Sequence, residues 1–250
     1  MGYSDTNRAF LQAFMARRLL SRAQAEEVLE QLGQEKGELP AFVGAANAKL
    51  HALDMEIRQC RDQLCGGTVF VLVNTVSDEW SQLATLHKAE EIALMKVLLE
   101  EMFEANNQGH AKESMAVSGV RALNLALGTG MKMQKVQETL DEFVEEGWLR
   151  RTDSDYYTLS TRGLMELQPY LLQTFNEPAD DNEEADEIAP QIKLCFVCGD
   201  MVTLGQRCRN PSCFLRLHNH CATQLFAASQ RPACPKCTST WSASNKVGPE

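Results

Sequence analysis

Long apolar runs are missing from this 250-residue sequence, and none reaches the eighteen or so residues that a membrane-spanning helix needs. The first ten residues, MGYSDTNRAF, also lack the basic and apolar blocks of a secretory signal. Positive charge is scarce as well, since 24 Lys and Arg residues stand against 34 Asp and Glu residues, a formal net charge of -10. We therefore expect a soluble intracellular protein with no membrane partner. We also expect no autonomous binding to nucleic acid, because phosphate binding needs a surplus of cations.

Much of the negative charge lies in one short segment. Residues 177–187, EPADDNEEADE, contain seven acids and no base. The segment has almost no large apolar residue and a proline near each end, Pro178 and Pro190, so it cannot bury enough surface to offset the entropy of ordering. We predict an acidic linker over residues 177–190, with a solvated helix face as the alternative.

The residues before this segment show one order of elements twice. Apolar residues at three- and four-residue spacing predict helices that begin near Asp5, after Ser21 and at Pro40. The segments EIRQC and TVFVLVN, on either side of the Gly66–Gly67 turn, predict a β-hairpin. Three helices followed by a hairpin is the order of a winged helix.

A second set of helices is predicted at about 77–105, 117–127 and 131–146, and a second hairpin from WLRR and YYTLS. A last helix follows, which Thr161 is predicted to cap. We therefore predict two tandem winged helices, winged helix A at 1–76 and winged helix B at 77–176.

The cysteines are crowded, with seven of the nine between Cys195 and Cys237. Because thiols stay reduced inside cells, this favours a metal site over disulfides. With one histidine they form four pairs, enough for two zinc ions with four ligands each. The pairs can bind in series or interleaved, and the short separations of nine residues between the first two pairs and four between the second and third favour interleaving. The predicted ligands are Cys195, Cys198, His218 and Cys221 for zinc one, and Cys208, Cys213, Cys234 and Cys237 for zinc two.

One of the two histidines near Cys221 is predicted to be a ligand, and two cysteines outside the cluster are not. His218 is preferred to His220 because His220 is adjacent to Cys221, and adjacent side chains rarely converge on one tetrahedral ion. His220 is expected on the surface. Cys60 and Cys65 have no second pair beside them, so we interpret them as ordinary thiols near the first hairpin, with a regulatory or metal role as the remote alternative.

Two structural zinc ions would hold together a segment of about forty residues, which is too small to fold on an apolar core of its own. The whole pattern predicts a mainly α-helical chain with small β-hairpins, in which the tandem winged helices precede a cross-brace, RING-like zinc domain at 191–241. Because the ions fold only this domain, we expect the winged helices to keep their own cores when zinc is removed.

The motifs CFVC, CRNPSCFLRLHNHC and RPACPKCTSTW, preceded by VLVNTVSDEWSQLAT and EGWLRR, resemble those of a known family over nearly the whole chain. The family is the first non-SMC element, the RING-bearing subunit of the SMC five/six genome-maintenance complex. The resemblance implies an E3 ubiquitin ligase that acts in DNA repair and recombination on chromatin in the nucleus. It also implies a MAGE-type winged-helix subunit, a kleisin subunit and a ubiquitin-conjugating E2 as partners, with DNA met only through the complex.

A RING ligase has no nucleophile of its own, and holds a ubiquitin-charged E2 so that a substrate lysine can attack the thioester. By similarity to RING domains, Val197, Leu225 and Pro235 form the E2-facing apolar groove. Packing in the small core is the alternative for Val197 and Leu225. Strong ligases of this class often carry a basic residue directly after the last cysteine, where this chain has Thr238. The resemblance therefore implies weak or partner-dependent activity.

Three other functions stay open. Thr238 favours a non-catalytic scaffold whose zinc domain only docks proteins. A PHD-like histone reader shares the ligand order but usually has a tryptophan two residues before the seventh ligand, where this chain has Pro232, and Trp241 is expected to pack against the module instead. DNA binding by the winged helices would need a basic recognition helix, whereas the candidate at 131–146 has more acids than bases.

Overall fold

The computed structural model describes residues 3–75, 86–105, 113–126, 128, 130–176 and 190–249. The chain divides into two compact units, Met1–Glu79 and Trp80–Glu250. Helices predominate and the sheets of the described part have three short strands each, so the predicted mainly α-helical class is confirmed. The predicted acidic linker lies outside the described residues up to residue 189. The four-part domain division stays a prediction, because its boundaries fall at or within such segments.

The first unit contains three helices and a three-stranded sheet. Its elements, in chain order, are α1 (Asp5–Arg17), β1 (Leu19–Ser21), α2 (Arg22–Gln31), α3 (Leu39–Leu50), β2 (Met55–Arg61) and β3 (Thr68–Asn74). The sheet is antiparallel, in the order β1-β3-β2. Its core includes Phe10, Phe14, Phe42 and Leu72. Helices and strands follow one another as in a winged helix, with one short strand between the first two helices.

Local sequence explains where these elements begin and end. Ser21 caps α2 as predicted: its hydroxyl accepts from the backbone N–H of Gln24 at 3.2 Å, and the Gln24 amide oxygen accepts from Ser21 N at 2.9 Å. The hairpin turn is longer than a two-glycine turn and takes in residues 62–67. Asp62 Oδ1 accepts from the backbone N–H groups of Leu64 and Cys65, both at 3.0 Å, which shapes the turn.

The second unit repeats this order before it continues. The repeated elements are α4 (Ala89–Phe103), β4 (Val117–Ser118), α5 (Gly119–Ala126), α6 (Met133–Glu145), β5 (Leu149–Arg151) and β6 (Tyr156–Leu159). Their sheet order, β4-β6-β5, matches that of the first unit. Two copies of one helix order and one strand order agree with the predicted tandem winged helices. A long helix, α7 (Thr161–Asn176), follows the second copy.

The start of α7 differs from the prediction in one residue. Ser160, and not Thr161, caps the helix, because Ser160 Oγ accepts from the backbone N–H of Gly163 at 3.0 Å and Thr161 is already helical. Gly163 lies so close to the preceding hairpin that a Cβ atom there would collide with the carbonyl oxygen of Trp148. The first turn of α7 therefore lies directly against Trp148, the residue before β5.

Residues 190–249 form a third small sheet and one helix. The elements are β7 (Gly205–Arg207), β8 (Arg216–Leu217), α8 (Asn219–Phe226) and β9 (Lys246–Val247), and the sheet order is β8-β7-β9. One apolar core runs through the whole second unit, from Leu94 to Val247. Winged helix B and the zinc-binding segment therefore share a core, and the expectation that winged helix B has a core of its own is wrong.

The residues that flank the predicted linker, Asn176 and Ile192, lie side by side. The Asn176 amide, on the last residue of α7, donates from Nδ2 to the carbonyl oxygen of Ile192 at 2.9 Å. Its Oδ1 accepts from the backbone N–H of Ile192 at 2.8 Å. Two hydrogen bonds thus fix the start of the zinc-binding segment to the end of winged helix B.

Candidate metal centres

The eight predicted ligands come together in two groups. Within each group the ligand atoms lie within 4.8 Å of one another. The first group is Cys195, Cys198, His218 and Cys221, and the second is Cys208, Cys213, Cys234 and Cys237. The first pair along the chain thus meets the third pair, and the second pair meets the fourth. This is the interleaved arrangement, in which each metal site joins two segments that are distant in sequence.

The distances between ligand atoms fit a tetrahedral zinc ion. In the second group, Cys208 Sγ lies 3.4 Å from Cys237 Sγ, and Cys213 Sγ lies 3.7 Å from Cys234 Sγ. A tetrahedron with metal–sulfur bonds of about 2.3 Å has edges of about 3.8 Å. In the first group, His218 Nδ1 lies 3.3 Å from Cys198 Sγ and 4.0 Å from Cys221 Sγ. Three cysteines with one histidine, and four cysteines, are donor sets that suit zinc.

The two Cys-x2-Cys turns have the same backbone hydrogen bonds. The N–H of Gly199 donates to Cys195 O at 2.9 Å, and the N–H of Thr238 donates to Cys234 O at the same distance. Gly199 and Thr238 both have a positive φ, of 80° and 59°. This conformation suits glycine and is unfavourable for β-branched threonine. The same backbone turn therefore directs the two sulfurs of each Cys-x2-Cys pair toward one point.

His218 is held as a ligand by a second contact on the far side of its ring. Its Nε2 lies 3.0 Å from the carbonyl oxygen of Met201, to which only a protonated nitrogen can donate. Nδ1 therefore keeps its lone pair and faces the sulfurs, as a metal-bound imidazole requires. The neighbouring His220 stacks on the His218 ring, with centroids 5.2 Å apart and planes 9° from parallel. It is half-buried, and so is less exposed than expected.

The cysteine thiols of each group differ in acidity. Burial raises the pKa of Cys195, but hydrogen bonds from the backbone N–H groups of Cys198, His218 and Val197 act in the opposite direction, and the pKa lies below its usual value. The hydroxyl and backbone N–H of Ser239 likewise lower the pKa of Cys237 to about 6. Burial raises the pKa of Cys208 to about 12. Zinc must displace the protons of such high-pKa thiols, so its affinity falls as the pH is lowered.

A buried ion pair fixes the metal-binding segment to winged helix B. Glu113, just before β4, has a fully buried side chain, and its Oε2 lies 2.7 Å from Arg216 Nε. Arg216 also donates to the carbonyl oxygens of Cys213 at 3.1 Å and Leu215 at 2.9 Å, so it lies beside the second ligand group. Lys193 Nζ lies 3.5 Å from the same carboxylate. Although burial raises the pKa of Glu113, the hydrogen bond and charge of Arg216 lower it below its usual value.

The three predicted E2-facing residues lie on the surface. Val197 is 42% exposed and Leu225 is 40% exposed, and Pro235 is also exposed, so none of the three packs in the core. Their role in one groove stays a prediction. Phe196, at 58%, and Phe214 are further exposed apolar side chains that the sequence analysis did not select. Cys195 is buried and the adjacent Phe196 points outward. The spacing of the cysteines alone does not predict this exposure.

Trp241 does not form part of an aromatic cage. It is buried, its ring centroid lies 5.5 Å from that of Phe226, and its Nε1 donates to Gln206 Oε1 at 2.8 Å. Trp241 therefore packs against the module, as expected, with its polar edge satisfied inside it. This arrangement gives no support to a histone-reading surface.

A third group of possible ligands, His87, Glu91 and Glu142, is a charge network rather than a metal site. The two ring nitrogens of His87 contact carboxylates of Glu91 at 3.1 Å and Glu146 at 2.9 Å. Lys135 Nζ lies 3.0 Å from Glu91 and 3.5 Å from Glu142, so a cation already occupies this place. Lys135 belongs to the candidate recognition helix, and its engagement with acids also weakens the case for DNA binding there.

Comparisons with known proteins agree with this geometry. Residues 7–167 match the family described as the Nse1 non-SMC component of the SMC5-6 complex, and residues 195–237 match a RING-like domain. A relative from Xenopus laevis, named non-structural maintenance of chromosomes element 1 homolog, is 28% identical over 95% of this chain and 83% of its own length. The human protein of that name is 24% identical over 95% and 84%. The Schizosaccharomyces pombe element 1 is 23% identical over 99% and 96%.

Among solved structures, a chain of an Nse1-Nse3-Nse4 complex is similar with a TM-score of 0.76 and 27% identity, covering 96% of this chain and 98% of that chain. The match therefore extends through both units and the metal-binding segment.

Within the described residues, the helices are too short or too polar to cross a membrane.

Proposed function

Because this chain belongs to the family of the Nse1 non-SMC component of the SMC5-6 complex, we propose that it is the RING-type E3 ubiquitin ligase subunit of such a complex, acting in DNA repair and recombination. One observation carries the proposal. Two interleaved ligand groups fix the segment 195–237, and Val197, Leu225 and Pro235 project from it into solvent. Exposed apolar side chains on a rigid support are what docking of an E2 requires.

The mechanism needs no nucleophile from this chain. Zinc bound by four ligands at each of these sites would supply structural rigidity and would leave no open position for a reactive water. The chain's own residues hold the E2 through the apolar groove, so that the substrate lysine meets the thioester in a favourable orientation. Glu113 and Arg216 contribute by fixing the zinc-binding segment to winged helix B, so that the E2-facing residues and winged helix B belong to one compact unit.

Two of the partners follow from the complex that the related structure represents. The name Nse1-Nse3-Nse4 describes that assembly. We propose that winged helices A (1–76) and B (77–176) of this chain dock a MAGE-type Nse3 subunit and a kleisin-type Nse4 subunit, while the zinc domain (191–241) faces the E2. In this proposal the protein works on chromatin in the nucleus and meets DNA through its partners, since its own net charge is -10.

A ubiquitin chain-formation assay tests the ligase proposal. The assay uses the purified complex with both partner subunits and a panel of E2 enzymes. We expect Leu225→Ala to reduce chain formation at least about tenfold, as loss of a buried anchor does at other interfaces. Phe214→Ala is the matched control, because Phe214 is a similarly exposed apolar residue of the same segment, at 38%, outside the predicted groove. Retained activity in Leu225→Ala, or transfer with no E2 of the panel, contradicts the ligase proposal.

A non-catalytic scaffold is the second candidate, and Thr238 favours it. Its side chain is exposed and its Oγ1 donates to the carbonyl oxygen of Cys237 at 2.7 Å, so this position holds no cation that bridges E2 and ubiquitin. If the protein is a weak ligase for this reason, Thr238→Arg should raise chain formation. If it is a scaffold, Thr238→Arg and Leu225→Ala should both leave chain formation at background while the complex still assembles.

A further inference from the structure

Beside the second ligand group lies a small pocket that the ligase proposal does not use. Its cavity measures about 190 Å³. The described residues that line it are Arg207, Cys208, Arg209, Asn210, Pro211, Arg216 and Asn245. Three of these seven carry guanidinium groups, two carry amides and none carries a carboxylate. Such a lining is unusual in a chain with a net charge of -10, and it is made of groups that donate hydrogen bonds.

The walls of the pocket are fixed by the fold. The backbone N–H of Arg207, at the end of β7, donates to the carbonyl oxygen of Asn245 at 2.8 Å, which joins the two sides. Asn210 Oδ1 accepts from the backbone N–H of Ser212 at 3.1 Å, so the Asn210 NH2 group is the part of that amide turned to other acceptors. The adjacent Cys208 is a metal ligand and anchors the same loop. The backbone that forms the pocket wall is therefore fixed before any ligand arrives, which limits the entropy cost of binding.

The positive charge extends below the pocket. Arg216 is buried and held by Glu113 at 2.7 Å, so one guanidinium is offset by one carboxylate. Although burial raises the pKa of Glu113, the hydrogen bond and charge of Arg216 lower it, and the charges of Lys193 and Arg207 add to this effect. One carboxylate thus lies among several cations.

We propose that this pocket binds a phosphorylated side chain, a phosphoserine or phosphothreonine, of a partner protein. Guanidinium forks pair with phosphate oxygens in a planar, bidentate manner, and a phosphomonoester offers three such oxygens with a charge of about -1.5 to -2. A nucleic-acid phosphodiester carries one charge and sits on a wide, rigid rod that does not enter a cavity of this size. A single side chain on a flexible peptide does. The site is independent of the E2-facing residues, so it stands whether or not the protein is a ligase.

The test uses the zinc-loaded full chain and three probes. The probes are a peptide with one phosphoserine among small neutral residues, the same peptide without phosphate, and a short DNA duplex. We expect saturable binding of the phosphopeptide alone, with inorganic phosphate as a competitor and acetate as a much weaker one. Arg207→Gln and Arg209→Gln should each weaken binding at least about tenfold, since each removes charge-assisted hydrogen bonds.

Arg231→Gln is the matched control, because Arg231 is an exposed arginine of the same segment that does not line the pocket. It should bind like the wild type. Zinc content and melting temperature of each variant show whether it is folded. Arg209 is exposed, so Arg209→Gln keeps the test valid even if Arg207→Gln unfolds. The proposal is overturned by unsaturable phosphopeptide binding, by equal weakening in Arg231→Gln, by equal competition from acetate, or by a duplex that binds more tightly and loses affinity in the same variants.

Discussion

Replacing Glu113 by glutamine should destabilise winged helix B and the zinc module together. Glu113→Gln keeps the size of the side chain but removes the negative charge that faces Arg216 and Lys193. Both cations are buried, and they lie 2.7 Å and 3.5 Å from the carboxylate oxygens. Removing one member of a buried pair costs about 3–5 kcal/mol, because the remaining charge is left without compensation.

The cost should fall near the lower end of this range. Glutamine keeps one oxygen that can accept from Arg216, and Lys193 can lose its proton more easily than usual, since burial already lowers its pKa. At about 3 kcal/mol, a unit of this size should melt about 6–12 °C lower. Thermal unfolding of the zinc-loaded full chain measures this shift. Hydrogen exchange shows where protection is lost, and we expect faster exchange in β4, α5 and the ligand loops alike, with α1 to β3 unchanged.

The matched control is Glu101→Gln. Glu101 also makes a bidentate pair with an arginine, Arg121, at 2.9 Å for both contacts, but that arginine is exposed. Water and salt reach this pair through the exposed arginine, so the melting temperature should fall much less than in Glu113→Gln, although Glu101 itself is mostly covered. An unchanged melting temperature in Glu113→Gln would refute the reasoning. So would exchange that rises in the ligand loops while β4 and α5 stay protected, because it would mean that the two parts unfold separately.

Three further predictions rest on other parts of the second unit. Elemental analysis should find two zinc ions per chain. Cys234→Ser or a chelator should unfold the second unit, while circular dichroism and hydrogen exchange show that the first unit stays folded. Unfolding of both units would contradict this prediction. Gly163→Ala should cost about 1–3 kcal/mol, because the new methyl group meets the Trp148 carbonyl; an unaltered urea midpoint would exclude that clash. Burial raises the pKa of Glu91, but hydrogen bonds led by that from Lys135 lower it below 4.5, so its stabilisation is present above 4.5 and lost as the pH falls through the folded-state pKa. The difference in free energy of unfolding between the wild type and Glu91→Gln should therefore become smaller at acid pH. A difference that does not change with pH would contradict this role of Glu91.

The ligand set could be predicted from the sequence because its signal is local. A turn that brings two sulfurs together needs only a short spacing between the cysteines. The spacing of Cys195 and Cys198 therefore predicts that they form a ligand pair. The cap at Ser21 is local in the same way. The strands β1 and β4 were not predicted because two or three residues are too few to show alternation. Ser160 was not predicted because the adjacent Thr161 is also a favoured capping type.

The contacts that join the parts of the second unit had no such signal. Glu113 and Arg216 are 103 residues apart, and nothing in the neighbourhood of either residue marks the other. The same holds for the strand Lys246–Val247, which pairs with β7 from beyond the last cysteine. Cysteine and histidine spacing therefore predicts the two metal sites. It does not predict that winged helix B and the zinc-binding segment share one core.

The paired hydrogen bonds between Asn176 and Ile192 have a consequence for the acidic stretch between them. A tether sets how far apart two bodies can move, and its length matters. Here the residues on either side of the stretch, Asn176 and Ile192, are already in contact. The number of residues between them therefore does not set the distance between α7 and the metal-binding segment. Doubling that number would cost only about 0.6 kcal/mol of closure entropy. Insertions in this stretch should thus be tolerated, because the contact between Asn176 and Ile192 positions the metal-binding segment against α7.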